Sequence, residues 1–387
     1  MRSFIADLHI HIGRTYQNNP VKITASKEMR VKKILEYARY PKGIDIVGII
    51  DCHSPEVIEE LQLLLNAELL QELQGGGFRY HNGVTLIPGC EMEINDHRSS
   101  GPVHVLSYFP TLMSLKKFSK WYTTVVKNPH LSTQRINVDG ITLQHKIKEY
   151  NGLFIPAHIF TPFKSLYGKG VKNSLTEMFS PDLIDAVELG LSANTKMAGQ
   201  IGELQGFAFL SNSDAHSLGK MAREYTVFRL ENASFEEIQK ALSSSERRSI
   251  IGNYGLNPLL GKYYESTCKA CGAIWRGGSC EKCGGQNWIK GVKTRISELK
   301  RVESTKLRPP YIHQIPLENI PGIGKKTRDK LLSAFKSEMN ILHHVTEEQL
   351  RKVIPDILVH RIIQARNGKV ELQAGGGGRY GKWIDRQ

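Results

Sequence analysis

The chain has 387 residues, 40% hydrophobic and 23% charged, with a net charge of +14. That length allows two or three domains with sizeable cores, and the balance excludes a disordered or fibrous chain. No run of about 18 apolar residues exists, which argues against a membrane-spanning helix; six cysteines are too few for a disulfide scaffold, and no signal-peptide pattern is present, so a reducing cytoplasm is expected. Residues 1–252 hold 28 basic and 26 acidic side chains, whereas residues 253–387 hold 24 and 12. A nearly neutral larger part thus carries a strongly basic smaller part, the balance of a polyanion-binding module.

Phe4-Ile5-Ala6 reads as a first strand that ends in Asp7-Leu8-His9-Ile10-His11. Alternation puts Asp7, His9 and His11 on one face, and imidazoles two residues apart can reach one metal ion. Residues 21–40 place Lys27, Arg30, Lys32, Lys33 and Arg39 among Met29, Val31, Ile34, Leu35 and Tyr37, a pattern that suits an amphipathic helix. A strand over 45–50 ends at Asp51-Cys52-His53. A helix is predicted over 55–73, with Pro55 in its first turn and Gly75-Gly76-Gly77 breaking it. Strands follow over 84–88, leading into Gly89-Cys90-Glu91-Met92-Glu93, and over 103–106, with His104. Others lie over 153–157 before His158, over 186–189, over 207–211 before Asn212-Ser213-Asp214-Ala215-His216, and over 225–230; a helix follows over 235–242.

Short apolar strands alternating with helical segments predict βα units and a parallel sheet. If the sheet closes into a barrel, ligands gather at the strand ends. His9, His11, Asp51 or His53, Glu91, His104, His158, Asp214 and His216 then meet at one mouth, an arrangement expected to bind metal.

After His158, the loop over 160–170 carries Phe163, Tyr167 and Lys169, which are expected to stack a base and touch phosphate. Further on, Cys268-Lys-Ala-Cys271 and Cys280-Glu-Lys-Cys283 form two knuckles that complete a four-thiolate structural zinc site. Ile320-Pro-Gly322-Ile-Gly324-Lys325-Lys326-Thr327 then opens an apolar-periodic run and resembles the helix-hairpin-helix of DNA-binding proteins. Its glycines let the backbone approach phosphate, and the helix N-terminus points amides at it. Residues 345–364 read as a degenerate partner hairpin, with Pro355 where a glycine would stand. The tail from Ala374 to Trp383 reads either as a flexible linker end or as a segment that folds onto DNA through Tyr380 and Trp383.

The motifs Asp7-Leu8-His9-Ile10-His11, Gly89-Cys90-Glu91, His104, Pro156-Ala157-His158 and Ser213-Asp214-Ala215-His216 resemble those of the polymerase and histidinol phosphatase (PHP) superfamily. Asp51-Cys52-His53 stands where that family often has Thr-Asp-His. The resemblance implies a distorted α/β barrel that hydrolyses phosphoesters with two or three divalent metals (zinc, manganese, iron or magnesium). A carboxylate can bridge two ions, so Glu91 is assigned the bridge, and Asp214 and His216 complete the catalytic set.

A PHP-type barrel over 1–255, a zinc ribbon over 256–292 and a helix-hairpin-helix region with a Gly-rich tail over 293–387 together resemble the endonuclease Q family. That resemblance implies a repair endonuclease that extrudes deaminated bases (uracil, hypoxanthine, xanthine) or abasic sites from DNA. It would cut on the 5′ side of the lesion and leave 3′-hydroxyl and 5′-phosphate ends. Two rivals are a small-molecule phosphoesterase of the histidinol-phosphatase type and a non-catalytic DNA-binding module.

Overall fold

The computed structural model describes residues 1–300 and 307–384, so residues 301–306 and 385–387 of the basic C-terminal segment lie outside it. Strand β1 (Arg2–Ile10) is followed by helix α1 (Val31–Tyr37) and by β2 (Ile46–Ile49), which pairs parallel to β1. Then come α2 (Pro55–Asn66), a small hairpin of β3 (Leu70–Glu72) and β4 (Phe78–Tyr80), and the long β5 (Thr85–Ile94), parallel to β2. β6 (Val103–Tyr108) runs antiparallel to β5, and β7 (Leu153–Pro156) antiparallel to β6, with α3 (Leu112–Tyr122) and α4 (Gly140–Glu149) between them. β8 (Ala186–Glu188) and β9 (Ala208–Leu210) are a parallel pair around the single turn α5 (Thr195–Ala198). β10 (Tyr225–Leu230) lies antiparallel to β1, and β11 (Ser249–Gly255) antiparallel to β10, with α6 (Phe235–Leu242) between.

Single hydrogen bonds rather than full ladders close the ring. The Asp185 amide donates to Phe154 O (3.1 Å) and that of Ile159 to Glu188 O (2.9 Å), joining β7 to β8. Past β9, Ala215 N donates to His9 O (3.0 Å) and His11 N to Ala215 O (3.1 Å), joining the last turn to β1. The result is a distorted α/β barrel. Its sheet is mixed, not parallel as the strand–helix alternation predicts. Residues 95–102 are too few for the crossover that a parallel neighbour of β5 needs, so the chain turns straight back. Ala6, Leu8, Ile46, Ile87, Leu106, Ile155, Leu210 and Phe228 form a buried plug with Phe235, Ile238 and Ala241 of α6. Val47, Leu86, Val105, Phe154, Val187 and Phe209 belong to a second buried cluster. Each large side chain so buried contributes about 1.5–3 kcal/mol.

Two predicted helices are shorter in the fold. Only Val31–Tyr37 of residues 21–40 forms a regular α-helix. The preceding backbone bonds elsewhere: Val21 N to Gly13 O, Lys22 N to Ile12 O and Ser26 N to His216 O. Helix α2 stops at Asn66, beyond which Glu68 takes a left-handed φ of 56° and the chain enters β3, which pairs with β4.

Beyond the barrel, β12 (Thr267–Cys268) and β13 (Trp288–Ile289) form the ribbon, and α7 (Val292–Leu299) returns to the barrel. Arg295 of α7 donates to the carbonyls of Tyr167, Val171 and Lys172. β14 (Tyr311–His313) adds to the edge of β11, so the third segment contributes a strand to the first. Four helices follow: α8 (Lys325–Phe335), α9 (Glu338–His343), α10 (Glu347–Arg351) and α11 (Asp356–Arg366). A buried ion pair, Lys42 to Glu338 at 2.6 Å, ties them to the barrel. The chain ends in β15 (Glu371–Gln373) paired with β16 (Lys382–Ile384). Among the described residues, no helix is long and apolar enough to cross a membrane.

Candidate metal centre and DNA-facing surface

The strand ends bring two groups of ligating side chains together: His9, His11 and Asp214, and Glu91, His104 and His158. Within each group the ligand atoms lie within 4.8 Å of one another. Glu91 touches both. Its Oε1 is 3.5 Å from His9 Nε2, 3.0 Å from His104 Nδ1 and 3.7 Å from His158 Nε2, and its Oε2 is 3.5 Å from His11 Nε2. Asp214 Oδ1 lies 3.4 Å from His9 Nε2 and 3.5 Å from His11 Nε2. Both Asp214 and His158 adopt left-handed φ (47° and 29°), a conformation rare for residues with a Cβ. Such strain is held by its surroundings and concentrates at functional sites.

Behind two of the imidazoles stands a buried carboxylate. Glu188 Oε1 is 2.9 Å from His9 Nδ1, and Asp51 Oδ2 is 3.0 Å from His11 Nδ1. These contacts place the ring protons on Nδ1 and leave each Nε2 lone pair aimed at the cluster, the carboxylate–histidine–metal arrangement. His9 Nε2 and His104 Nδ1 are buried without an aligned hydrogen-bond partner, although each lies within 3.5 Å of Glu91 Oε1. Lone pairs held close but not hydrogen-bonded fit cations shared between them. Burial opposes a charge on Glu91, yet Lys22 and His104 hold its carboxyl well below the usual range. Burial likewise opposes a charge on His9, and Glu188 and Asp214 outweigh it, raising its pKa well above that of free imidazole. A cluster this rich in anionic oxygen calls for positive charge, which divalent ions supply.

Two expected ligands stand apart. Asp51 Oδ2 accepts from the Ile12 amide (2.7 Å) as well as from His11, which places it behind the His11 ring, while its Oδ1 is buried without a partner. His53 is buried in the turn before α2, 3.5 Å from Leu131 O and edge-on to Tyr122 (4.8 Å). Asp7 accepts from the amides of Ser213 and Ala222, which fixes the segment carrying Asp214. His216 packs on His11 (4.5 Å between centroids) at the edge of the centre, and burial together with His11 pushes its pKa down to about 4.

The centre opens into a cavity of about 640 Å³ lined by Phe163, Lys164, Lys220, Arg223, Tyr263 and Tyr380, among others. Of the loop residues expected to meet a base, Phe163 lines this cavity, half exposed and edge-on to Tyr263 (5.5 Å). Tyr167 does not: its ring is buried against Phe160 (5.5 Å) and its hydroxyl donates to Glu203 (2.7 Å). Lys169 is exposed outside the cavity, its stem against Gly101. Lys164 points in instead, 3.0 Å from Glu93. Sequence reasoning missed Glu188 and Lys22. Glu188 sits at a strand end like the other ligands. Lys22, 3.0 Å from Glu91, lies in an irregular stretch where only the fold reveals its position.

In the ribbon, Cys268, Cys271, Cys280 and Cys283 converge within 4.8 Å. Sγ–Sγ separations of 3.6 Å (Cys268–Cys283) and 3.5 Å (Cys271–Cys280) are too long for disulfides. They match thiolates around one tetrahedral ion, about 3.8 Å apart for metal–sulfur bonds of about 2.3 Å. Farther along, Gly322 takes a φ of 80°, and a Cβ there would meet Arg361 and Leu358 of α11 at 2.8 Å. Gly324 caps α8 and has open space around it. Lys325 and Lys326, in the first turn of α8, are exposed, and Thr327 is half-buried.

A PHP-associated family model matches residues 193–246. The uncharacterized protein YqxK of Bacillus subtilis is 53% identical over 99% of both chains. The crystal structure of the lesion-specific endonuclease PfuEndoQ from Pyrococcus furiosus superposes with a TM-score of 0.86 at 32% identity, covering 100% of this chain and 96% of that one. Endonuclease Q in complex with a 27-mer duplex bearing an abasic lesion at the active site matches with the same TM-score and identity, over 100% of this chain and 97% of that one.

Proposed function

The chain belongs to the endonuclease Q family, and from that premise we propose that it cuts DNA on the 5′ side of deaminated bases and abasic sites after turning the damaged nucleotide out of the stack. In coarser terms it is a lesion-specific, metal-dependent DNA endonuclease with a PHP-type barrel. The observation that supports this reading is Glu91, seated between two ligand groups in the lining of a cavity of about 640 Å³. A cavity of this size suits one extruded nucleotide better than an intact duplex. Extrusion costs a few kcal/mol, least where the base is mispaired or missing, so the lesion itself favours entry.

His9, His11, Asp214, Glu91, His104 and His158 would hold the catalytic ions, with His216 at their edge. Divalent ions held there would supply positive charge for phosphate oxygens and acidify a water molecule. The chain's own groups do the rest. Glu188 and Asp51 fix the His9 and His11 tautomers. Lys22, Lys164, Lys220 and Arg223 line the cavity with positive charge for phosphate. The four cysteines would hold a structural zinc, and the α8 N-terminus and Lys325–Lys326 would grip the duplex away from the cut.

The test is a labelled duplex with one uracil, hypoxanthine or abasic site, incubated with purified protein and manganese, magnesium or zinc in turn. A single nick 5′ of the lesion, with 3′-hydroxyl and 5′-phosphate ends, is expected. Turnover of a small phosphate monoester without any nick would replace this reading with a small-molecule phosphoesterase.

A further inference from the structure

The Gly-rich tail, which from sequence reads as a linker end or as a segment that folds onto DNA, is ordered in the fold. It is a strap bonded to the protein along its length. The amides of Gly375 and Gly381 donate to Leu259 O (2.7 Å) and Leu260 O (3.0 Å), that of Gly378 to Lys262 O (3.0 Å), and Glu265 N donates to Gly375 O (3.1 Å). The glycines are there for close approach. A Cβ at Gly375 would lie 2.5 Å from Gly261 O, and one at Gly381 2.4 Å from Gln373 O and 2.5 Å from Leu259 O. Gly377 and Gly378 take φ of 60° and 88°, which L side chains rarely adopt.

The strap carries Tyr380 to the mouth of the metal centre. Tyr380 lines the 640 Å³ cavity and also a second cavity of about 380 Å³ that continues past Ile315, Asn319 and Pro321 toward the hairpin before α8. Its ring is fixed from two sides. The Lys262 ammonium lies 4.7 Å from the ring centroid, and Arg223 Nη1 donates to the phenol oxygen at 2.8 Å. The same guanidinium donates through Nε to Ser213 O (2.7 Å) and through Nη2 to Asp214 O (3.3 Å). One side chain thus links Tyr380 to the backbone of a metal-ligand candidate. Tyr380 nevertheless remains 38% exposed, an aromatic surface held rigid but left uncovered.

We propose that the strap is a fixed part of the substrate site and holds Tyr380 as a stacking platform for a DNA base beside the cleaved phosphate. The inference rests on the nuclease reading above and goes beyond it by naming the residue that meets the nucleotide. Lys262, over the Tyr380 ring, and Lys220, 3.0 Å from Glu318, add positive charge to the same wall. Stacking on an aromatic side chain is tolerant of base identity, so this residue would position the strand rather than read the lesion.

The experiment uses the full-length, metal-loaded enzyme and a lesion duplex with 2-aminopurine next to the lesion. Tyr380→Ala is expected to raise KM for nicking by roughly tenfold or more and to abolish the binding-dependent change in 2-aminopurine fluorescence, since base–aromatic stacking is worth about 1–3 kcal/mol. Tyr380→Phe, which keeps the ring, should stay within a few-fold of wild type. Gly381→Val, which pushes the strap off Leu259, should reproduce the Tyr380→Ala loss while the ribbon cysteines keep their metal. A Tyr380→Ala enzyme with wild-type KM and a wild-type fluorescence change overturns the inference alone. A wild-type chain that nicks no lesion duplex overturns both this inference and the reading beneath it.

Discussion

His9 Nδ1 lies 2.9 Å from Glu188 Oε1, and both side chains are sealed from solvent. Glu188 does more than orient one ring. Its Oε2 accepts from the His158 amide at 2.8 Å and its Oε1 from Asn212 Nδ2 at 2.9 Å. One carboxylate at the end of β8 therefore positions a histidine from each ligand group and the turn that leads to Asp214. Glu188→Gln keeps the shape but loses the charge that favours the correct His9 tautomer. Metal affinity or kcat should fall about 10- to 100-fold, as for other carboxylates behind a ligand, with little change in Tm. Metal titration and single-turnover nicking measure this; an unaffected enzyme would remove Glu188 from the site.

Asp214→Asn should abolish nicking while leaving lesion-duplex binding within a few-fold, because the hairpin and ribbon surfaces are untouched. Gel shift and cleavage on the same duplex separate the two. A chelator should mimic the variant, and added manganese, magnesium or zinc should restore activity only to the wild type.

The paired cysteines predict one tightly held ion apart from the catalytic ones. Cys271→Ser should lower the metal content by one equivalent per chain. It should loosen the ribbon first, since four thiolates supply much of the stability of so small a unit. The barrel, closed by its own strands, should keep its unfolding transition.

Lys325→Ala and Lys326→Ala should weaken binding of damaged and undamaged duplex alike. Each lost phosphate contact should reduce the slope of log K against log salt by about 0.9. A slope equal to wild type would place the hairpin away from the duplex.

Glu224 predicts a pH-dependent stability. Burial raises its pKa from 4.5 to about 8, and one carboxyl oxygen has no partner. Below pH 4.5 folded and unfolded chains both hold the proton, and the group costs nothing. As pH rises, the unfolded chain releases it while the folded chain keeps it, so stability drains away up to about pH 8 and then levels off. Glu224→Gln should remove this slope. Its Tm advantage over wild type should be small at pH 5 and largest near pH 8.

Much of this protein is written locally. The His-x-His pair and the two Cys-x-x-Cys knuckles declare their ligating chemistry through spacing alone, because each needs only a strand or a knuckle to present its groups. The strands that carry the ligands follow from apolar runs for the same reason, whereas β3, inside the predicted 55–73 helix, and β11, beyond the strand over 225–230 expected to be the last, do not. What lay beyond reach was the detail of how the strands pair and how the side chains behind the ligands turn. Whether β6 runs parallel or back along β5, why Asp51 turns behind His11 and why His53 is buried beside Tyr122 depend on how the strands close on one another. So do the inward reach of Lys22 from an irregular stretch and the sealing of Tyr167 against Phe160. The glycines of the tail read as freedom in one dimension and act as close contact in three, since only the strands they lie against show that a Cβ has no room.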